Sequence, residues 1–155
     1  MIKGKQSIAF KASPYIEESA SVVGKKEGEG PLGSRFDMVG QDDMFGEDTW
    51  EKAESSMQKE ACQLALGKAH LTAGAIRYLF GGDLLRQGVA TSLGVEQLQI
   101  PMFGLYGACS TMGEALSLGA MCVNARYAQN VIAIASSHFA SAEKQFRYPL
   151  EYGNQ

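Results

Sequence analysis

Long apolar runs are missing from this 155-residue chain. No segment approaches the ~20 apolar residues of a membrane-spanning helix, and the opening M-I-K-G-K-Q-S-I-A-F has too short an apolar stretch for a signal peptide. Cysteine is scarce: Cys62, Cys109 and Cys122 are widely spaced, make a poor disulfide framework, and point to a reducing compartment. There is no C-x-x-C, no H-E-x-x-H and no EF-hand loop, so a built-in metal site has little support. An excess of positive charge is also lacking. The formal net charge of -3 leaves no overall basic footprint for nucleic acid. No repeat or low-complexity segment is evident, and the length suits one domain with a proper core.

The most informative stretch that is present runs from Phe103 to Asn130 and reads as a strand, a small-residue turn and a long helix. Cys109 stands at the turn. Thr111 and Glu114 have the T-x-x-E spacing of a capping box, which predicts a helix starting just after the cysteine. Such a position sets a thiol beside unpaired backbone N–H groups and the positive end of a helix dipole. That lowers a thiol pKa or holds a carboxylate, and it serves a nucleophile and an anion-binding pocket alike. The helix itself, from Met112 through Leu116, Leu118, Met121 and Val123 to Ala125, has almost no polar stripe. This pattern predicts burial on more than one side, between two sheets. Asn130-Val-Ile-Ala-Ile-Ala-Ser then reads as a fully covered parallel strand.

Around this unit the chain reads in order. Gln6–Lys11 and Tyr15–Val23 are extended segments. The glycine- and charge-rich run from Gly24 to Ser34 reads as an exposed loop, because it lacks the G-x-x-x-x-G-K-[ST] of a phosphate loop. The acidic run from Gln41 to Asp48 lacks calcium-loop spacing and reads as a solvated lead-in to a helix. Asp48 and Glu51 suggest a second capping box opening an amphipathic helix to about Ala73, with Trp50, Ala53, Met57, Ala61, Leu64, Ala65 and Lys68 near one face. Within it Cys62 and His70 read as packing and helix-end residues. Ile76–Phe80 is a strand, and Gly81-Gly82-Asp83 with a short helix Leu84–Gly88 resembles the ligand edge of an open α/β sheet. Asp83 either caps that helix or lines a pocket. Ala90–Gln97 is another short helix, His138 falls at the carboxyl end of the Asn130 strand, and Glu143–Phe146 starts a last helix ended by Pro149. This order predicts an α/β fold with a mostly parallel sheet and crossover helices.

At G-A-C-S-T-M-G-E-A-L followed by V-I-A-I-A-S-S-H, the chain resembles the thiolase-like superfamily, which includes the ketoacyl-synthase III enzymes. A-S-V-V-G-K-K-E-G-E-G-P-L-G, T-W-E-K-A-E-S-S-M-Q, G-D-L-L-R-Q-G-V-A-T-S and F-G-L-Y-G-A-C-S-T-M-G-E resemble, nearly end to end, its sporulation branch, the stage V AD family of spore-forming bacteria. The resemblance implies one half of a five-layer α-β-α-β-α fold, with a buried central helix after Cys109. It implies that residues 1–155 form an N-terminal thiolase-like half whose C-terminal half is absent. It implies a non-catalytic protein without a cofactor that binds dipicolinic acid (pyridine-2,6-dicarboxylate) together with calcium, for uptake into the developing spore. The site would be built from Cys109, Asp83 and His138, with Phe103, Tyr106 and Phe139 as aromatic surface and Arg77 or Arg86 to balance charge. Implied partners are other stage V sporulation membrane proteins at the spore inner membrane, where the chain would be peripheral. A half-fold would leave one face of the central helix open, so self-association or pairing with the missing half is expected.

Two other readings compete. In the first, Cys109 is the nucleophile of an acyl-transferring enzyme of ketoacyl-synthase type, with His138 as the sole candidate base. In the second, the chain is a docking subunit of a spore-membrane transport complex.

Overall fold

The computed structural model describes residues 2–84, 88–140 and 142. Two short pairs lead into the fold. β1 (Ile2–Lys3) pairs antiparallel with β2 (Ser7–Ile8). β3 (Val22–Val23) pairs parallel with β4 (Met38–Val39). Pairing in the two expected extended segments is thus confined to two residues each. Between β3 and β4 the glycine-rich run is folded rather than an open loop. It forms α1 (Lys25–Gly28) and a 3-10 turn at Gly33–Arg35, closed by short-range bonds such as Gly33 N to the Gly30 carbonyl at 3.0 Å.

α2 (Trp50–Lys68) follows. Its N-cap is Thr49, whose hydroxyl accepts from Lys52 N at 3.2 Å. The expected Asp48/Glu51 box is therefore displaced by one residue, and Asp48 instead pairs with Lys52 one turn on at 2.8 Å. The helix stops before Ala73 because His70 takes a left-handed conformation, φ 54. His70 N then donates to the Gly67 carbonyl and Leu71 N to the Leu66 carbonyl, a Schellman closure.

β5 (Tyr78–Asp83), α3 (Val89–Val95), β6 (Met102–Gly104), α4 (Thr111–Asn124) and β7 (Val131–Ser136) build the main unit. Its sheet has the order β6-β5-β7 and is parallel throughout. The crossover chemistry read from the sequence is therefore present. β5 runs further than expected, through both glycines to Asp83, because they lie where side chains do not fit. A Cβ on Gly81 would stand 2.5 Å from Ile134 Cγ2, and one on Gly82 2.1 Å from the Leu105 carbonyl oxygen. Residues 85–87 of the expected Leu84–Gly88 helix, and the expected helix at Glu143–Phe146 with Pro149, lie outside the described residues.

Strand alternation sorts the layers. Leu79 and Ile134 face α2 and α3, where Cys62, Leu66, Ile76, Val95 and Ile100 complete the core. Phe80 and Gly82 face α4, close to Gly119 and the Thr111 methyl. Helices thus cover both faces of one parallel sheet.

Two expectations about burial are corrected. α4 is not enclosed on more than one side by the described residues. Thr111, Ala115 and Gly119 are buried, while Met112, Leu116, Leu118 and Met121 are each 38–42% exposed, since only one sheet lies against the helix. β7 is half-buried apart from Ile134, because it is an edge strand of the described sheet.

Candidate functional site

The turn between β6 and α4 is held by its own small residues. Leu105 N still bonds the Gly81 carbonyl at 2.8 Å, which carries the chain past the end of β6. Ala108 then takes φ 48, a left-handed conformation that costs energy for any residue with a Cβ. Ala108–Ser110 form a 3-10 turn directly ahead of α4. Ser110 Oγ reaches the Gly107 carbonyl at 2.9 Å and also bonds Glu114 Oε1. A Cβ on Gly107 would stand 2.2 Å from Glu114 Oε1, so the clasp requires glycine there.

This geometry corrects the expected capping box. Thr111 is the first helical residue, not the cap, and its buried hydroxyl has no hydrogen-bond partner among the described residues. Ser110 is the N-cap and its side chain gives α4 no capping bond. Of the first-turn amides of α4, Thr111 N donates to the Ala108 carbonyl, and no side chain among the described residues caps those that follow it. Cys109 is exposed beside them. It borders an open depression of about 550 Å³ together with Ser110, Gly113, Glu114, Ser117 and Leu118. Glu114, read from sequence only as a capping residue, is the charged group of this lining.

Asp83 and His138 lie elsewhere. Because Gly82 faces α4, Asp83 faces the other way and is 1% exposed. Its carboxylate accepts from Thr91 N and Thr91 Oγ1, each at 3.1 Å, and from Gly88 N at 3.4 Å. It therefore satisfies the N-terminus of α3, one helix later than the helix it was expected to cap. The same cluster continues through Gln58, whose Nε2 donates to Thr91 Oγ1 at 3.0 Å and to Ser136 Oγ. Ser136 Oγ in turn bonds Glu54 Oε1 at 2.6 Å. Glu54, Ser55 and Gln58 thus join the predicted Ala53 in the buried N-terminal half of the α2 face, where Trp50 and Met57 are only half-buried.

His138 is buried against Trp50, ring centroids 6.0 Å apart, and its Nε2 lies 2.7 Å from the Asp43 carbonyl. A carbonyl can only accept, so Nε2 carries the proton, and Nδ1 has no hydrogen-bond partner among the described residues. These contacts tie His138 to the α2 side and to the acidic lead-in. The three residues are consequently divided: Cys109 on the α4 face, Asp83 and His138 on the α2 and α3 face.

The remaining candidates separate as well. Arg77 lies over the Tyr78 ring at 5.2 Å, at the amino end of β5, the opposite end of the sheet from Cys109. Phe103 stacks on Phe80 at 5.1 Å and is half exposed. Tyr106 and Phe139 are exposed, and Arg86 lies outside the described residues. Among the described residues there is no group of three or more metal-ligating side chains and no helix long and apolar enough to cross a membrane.

Comparison with known proteins covers almost the whole chain. The profile of the family described as stage V sporulation protein AD matches residues 4–155. Stage V sporulation protein AD of Bacillus subtilis (strain 168) is 38% identical over 154 residues, which is 99% of this chain and 46% of that protein. The chain therefore spans about half the length of the curated relative it matches.

Proposed function

Because the chain belongs to the stage V sporulation protein AD family, we propose that it binds dipicolinic acid at the Cys109 turn for uptake into the developing spore. The observation that carries this reading is the uncapped start of α4 beside an open, partly apolar depression. First-turn amides and the helix dipole suit a carboxylate, and the depression is roomy enough for a single aromatic ring. Glu114 lines the same depression and opposes a dianion. A divalent cation offsets that repulsion, which favours the calcium salt as the bound form.

The non-catalytic part of this reading rests on where the candidate base lies relative to Cys109. His138, the candidate base, belongs to the other face of the sheet. In this reading the chain is part of a thiolase-like five-layer fold, peripheral to the spore inner membrane and served by other stage V membrane proteins. The open side of α4 is where a second half or a second copy packs.

Calorimetric titration of dipicolinate with and without calcium tests the proposal. Saturable binding, tighter by about tenfold or more with calcium, is expected. Glu114→Gln should narrow that difference, and Cys109→Trp should block the depression and abolish binding. No binding by this chain or by the longer Bacillus subtilis relative would overturn the reading. The strained turn that exposes Cys109 favours the acyltransferase alternative. Rapid, selective acylation of Cys109 by a thioester would establish it.

A further inference from the structure

We propose that Gln58 is a positioning residue for the Cys109 turn, acting from the opposite face of the sheet; the proposal rests on the ligand reading above. Gln58 is 2% exposed and sits on a helix that otherwise turns apolar further along, at Cys62 and Leu66. Its setting is fully determined by hydrogen-bond polarity. Thr91 has one hydroxyl hydrogen and gives it to Asp83, and Ser136 gives its own to Glu54. Both hydroxyls must then accept from Gln58, which uses both amide hydrogens. The amide orientation is thereby fixed, and Gln58 Oε1 is left buried with no hydrogen-bond partner among the described residues.

An arrangement kept for stability alone would not strand a buried acceptor; an apolar side chain of similar shape would avoid the desolvation it costs. What the amide does is tie together the last residues of two paired strands. Asp83 and Ser136 are register partners at the ends of β5 and β7, and Gln58 reaches the first through Thr91 and the second directly. On the opposite face of the same strand end, Gly82 abuts the Leu105 carbonyl and the Thr111 methyl, and Gly81 accepts from Leu105 N. A shift of β5 at Asp83 is therefore handed to residues 105–111, which carry Cys109. The polar cluster fixes the site from behind without touching ligand.

The test compares the unaltered protein with Gln58→Met and Ser136→Ala. Three quantities are read: the dissociation constant for calcium dipicolinate, the thermal midpoint, and the rate of Cys109 alkylation by iodoacetamide, resolved by mass spectrometry. Gln58→Met should weaken binding about tenfold and change the Cys109 rate about threefold or more, while the thermal midpoint holds or rises. Ser136→Ala should reproduce the first two changes, and it carries the test alone where Gln58→Met does not fold. Wild-type affinity and Cys109 rate in folded variants would overturn the proposal, as would a loss of affinity matched by an equal loss of stability. Should the unaltered protein bind no dipicolinate, the ligand reading fails, and the Cys109 rate decides the role of Gln58 by itself.

Discussion

Asp37 is an exposed carboxylate with an unusually complete set of partners. The Lys68 ammonium hydrogen-bonds it at 3.0 Å, and Ser21 adds its backbone N–H and its hydroxyl. These bonds, Lys68 first, hold the Asp37 carboxyl below its ordinary value. Lys68 also reaches the Ser19 carbonyl, so the cluster pins the segment before β3 to the last turn of α2. The sign of the pH effect follows. A carboxylate whose folded pKa is depressed adds stability that is complete above its unfolded pKa of about 3.9 and lost as pH falls through the folded value. Asp37→Asn should therefore lower the thermal midpoint near neutral pH. The gap to the unaltered protein should begin to narrow below about pH 4 and close as pH falls through the depressed folded value, as measured by thermal melts from about pH 7 down to about pH 2. A gap that persists at low pH would mean that the geometry of the serine bonds, not charge, is what matters. The residue scale also shows where sequence reasoning stops. Cys109 was legible because a small-residue turn before an apolar helix has a known geometry. Burial pushes the Cys62 thiol up to about 12, which fits its reading as packing. The positions of Asp83 and His138 were not legible, because which face of a sheet a strand-end residue joins depends on partners distant in the chain.

At the scale of elements, the order and type of the main unit were largely readable, whereas its ends were not. β7 spans the residues read as a strand, and α4 starts two residues past Cys109. The buried face of α2 is only partly legible since periodicity counts apolar residues, and the half nearest the strand ends buries Glu54, Ser55 and Gln58 in a hydrogen-bonded cluster beside the expected Ala53. Its C-terminus was misplaced for a different reason. A Schellman closure usually announces itself with glycine at the left-handed residue, and here that residue is His70. The closure is otherwise complete, with Leu71 packed on the core that holds Leu66. Left-handed backbone costs a residue with a Cβ roughly 1 kcal/mol or more, and His70 is exposed. Replacing it with glycine removes that strain and gives back part of the gain as unfolded-chain entropy. His70→Gly is expected to stabilise the chain by about 0.5 kcal/mol, or one to two degrees in thermal midpoint for a domain of this size. A lower midpoint would show that the imidazole makes a contribution of its own.

For the whole molecule the decisive feature is the open side of α4. Met112, Leu116, Leu118 and Met121 are each about two-fifths exposed, and Phe103 is half exposed on the neighbouring strand. Fully burying such a side chain is worth about 1.5–3 kcal/mol, so covering what remains yields about 1 kcal/mol for each, or roughly 5 per copy and about 10 when two copies meet. Association of two separate chains costs about 4 kcal/mol or more in lost translation and rotation. The surplus is roughly 4–6 kcal/mol, and two copies of this chain meeting through α4 should associate weakly. A covering segment joined covalently to the chain avoids most of that cost and is favoured by its effective concentration. The apolar face of α4 thus gains more from a covalently joined neighbour than from a free partner. Sedimentation of the 155-residue chain separates the possibilities. Reversible self-association with a dissociation constant of about 0.1–1 mM is expected, and Leu116→Glu with Met121→Glu should abolish it while leaving the far-ultraviolet circular dichroism unchanged. A tight dimer at about 1 μM would mean that the interface extends well beyond α4. A chain that stays monomeric at millimolar concentration would mean that its open face is tolerated in water, and the case for a covering half would then lose its physical basis.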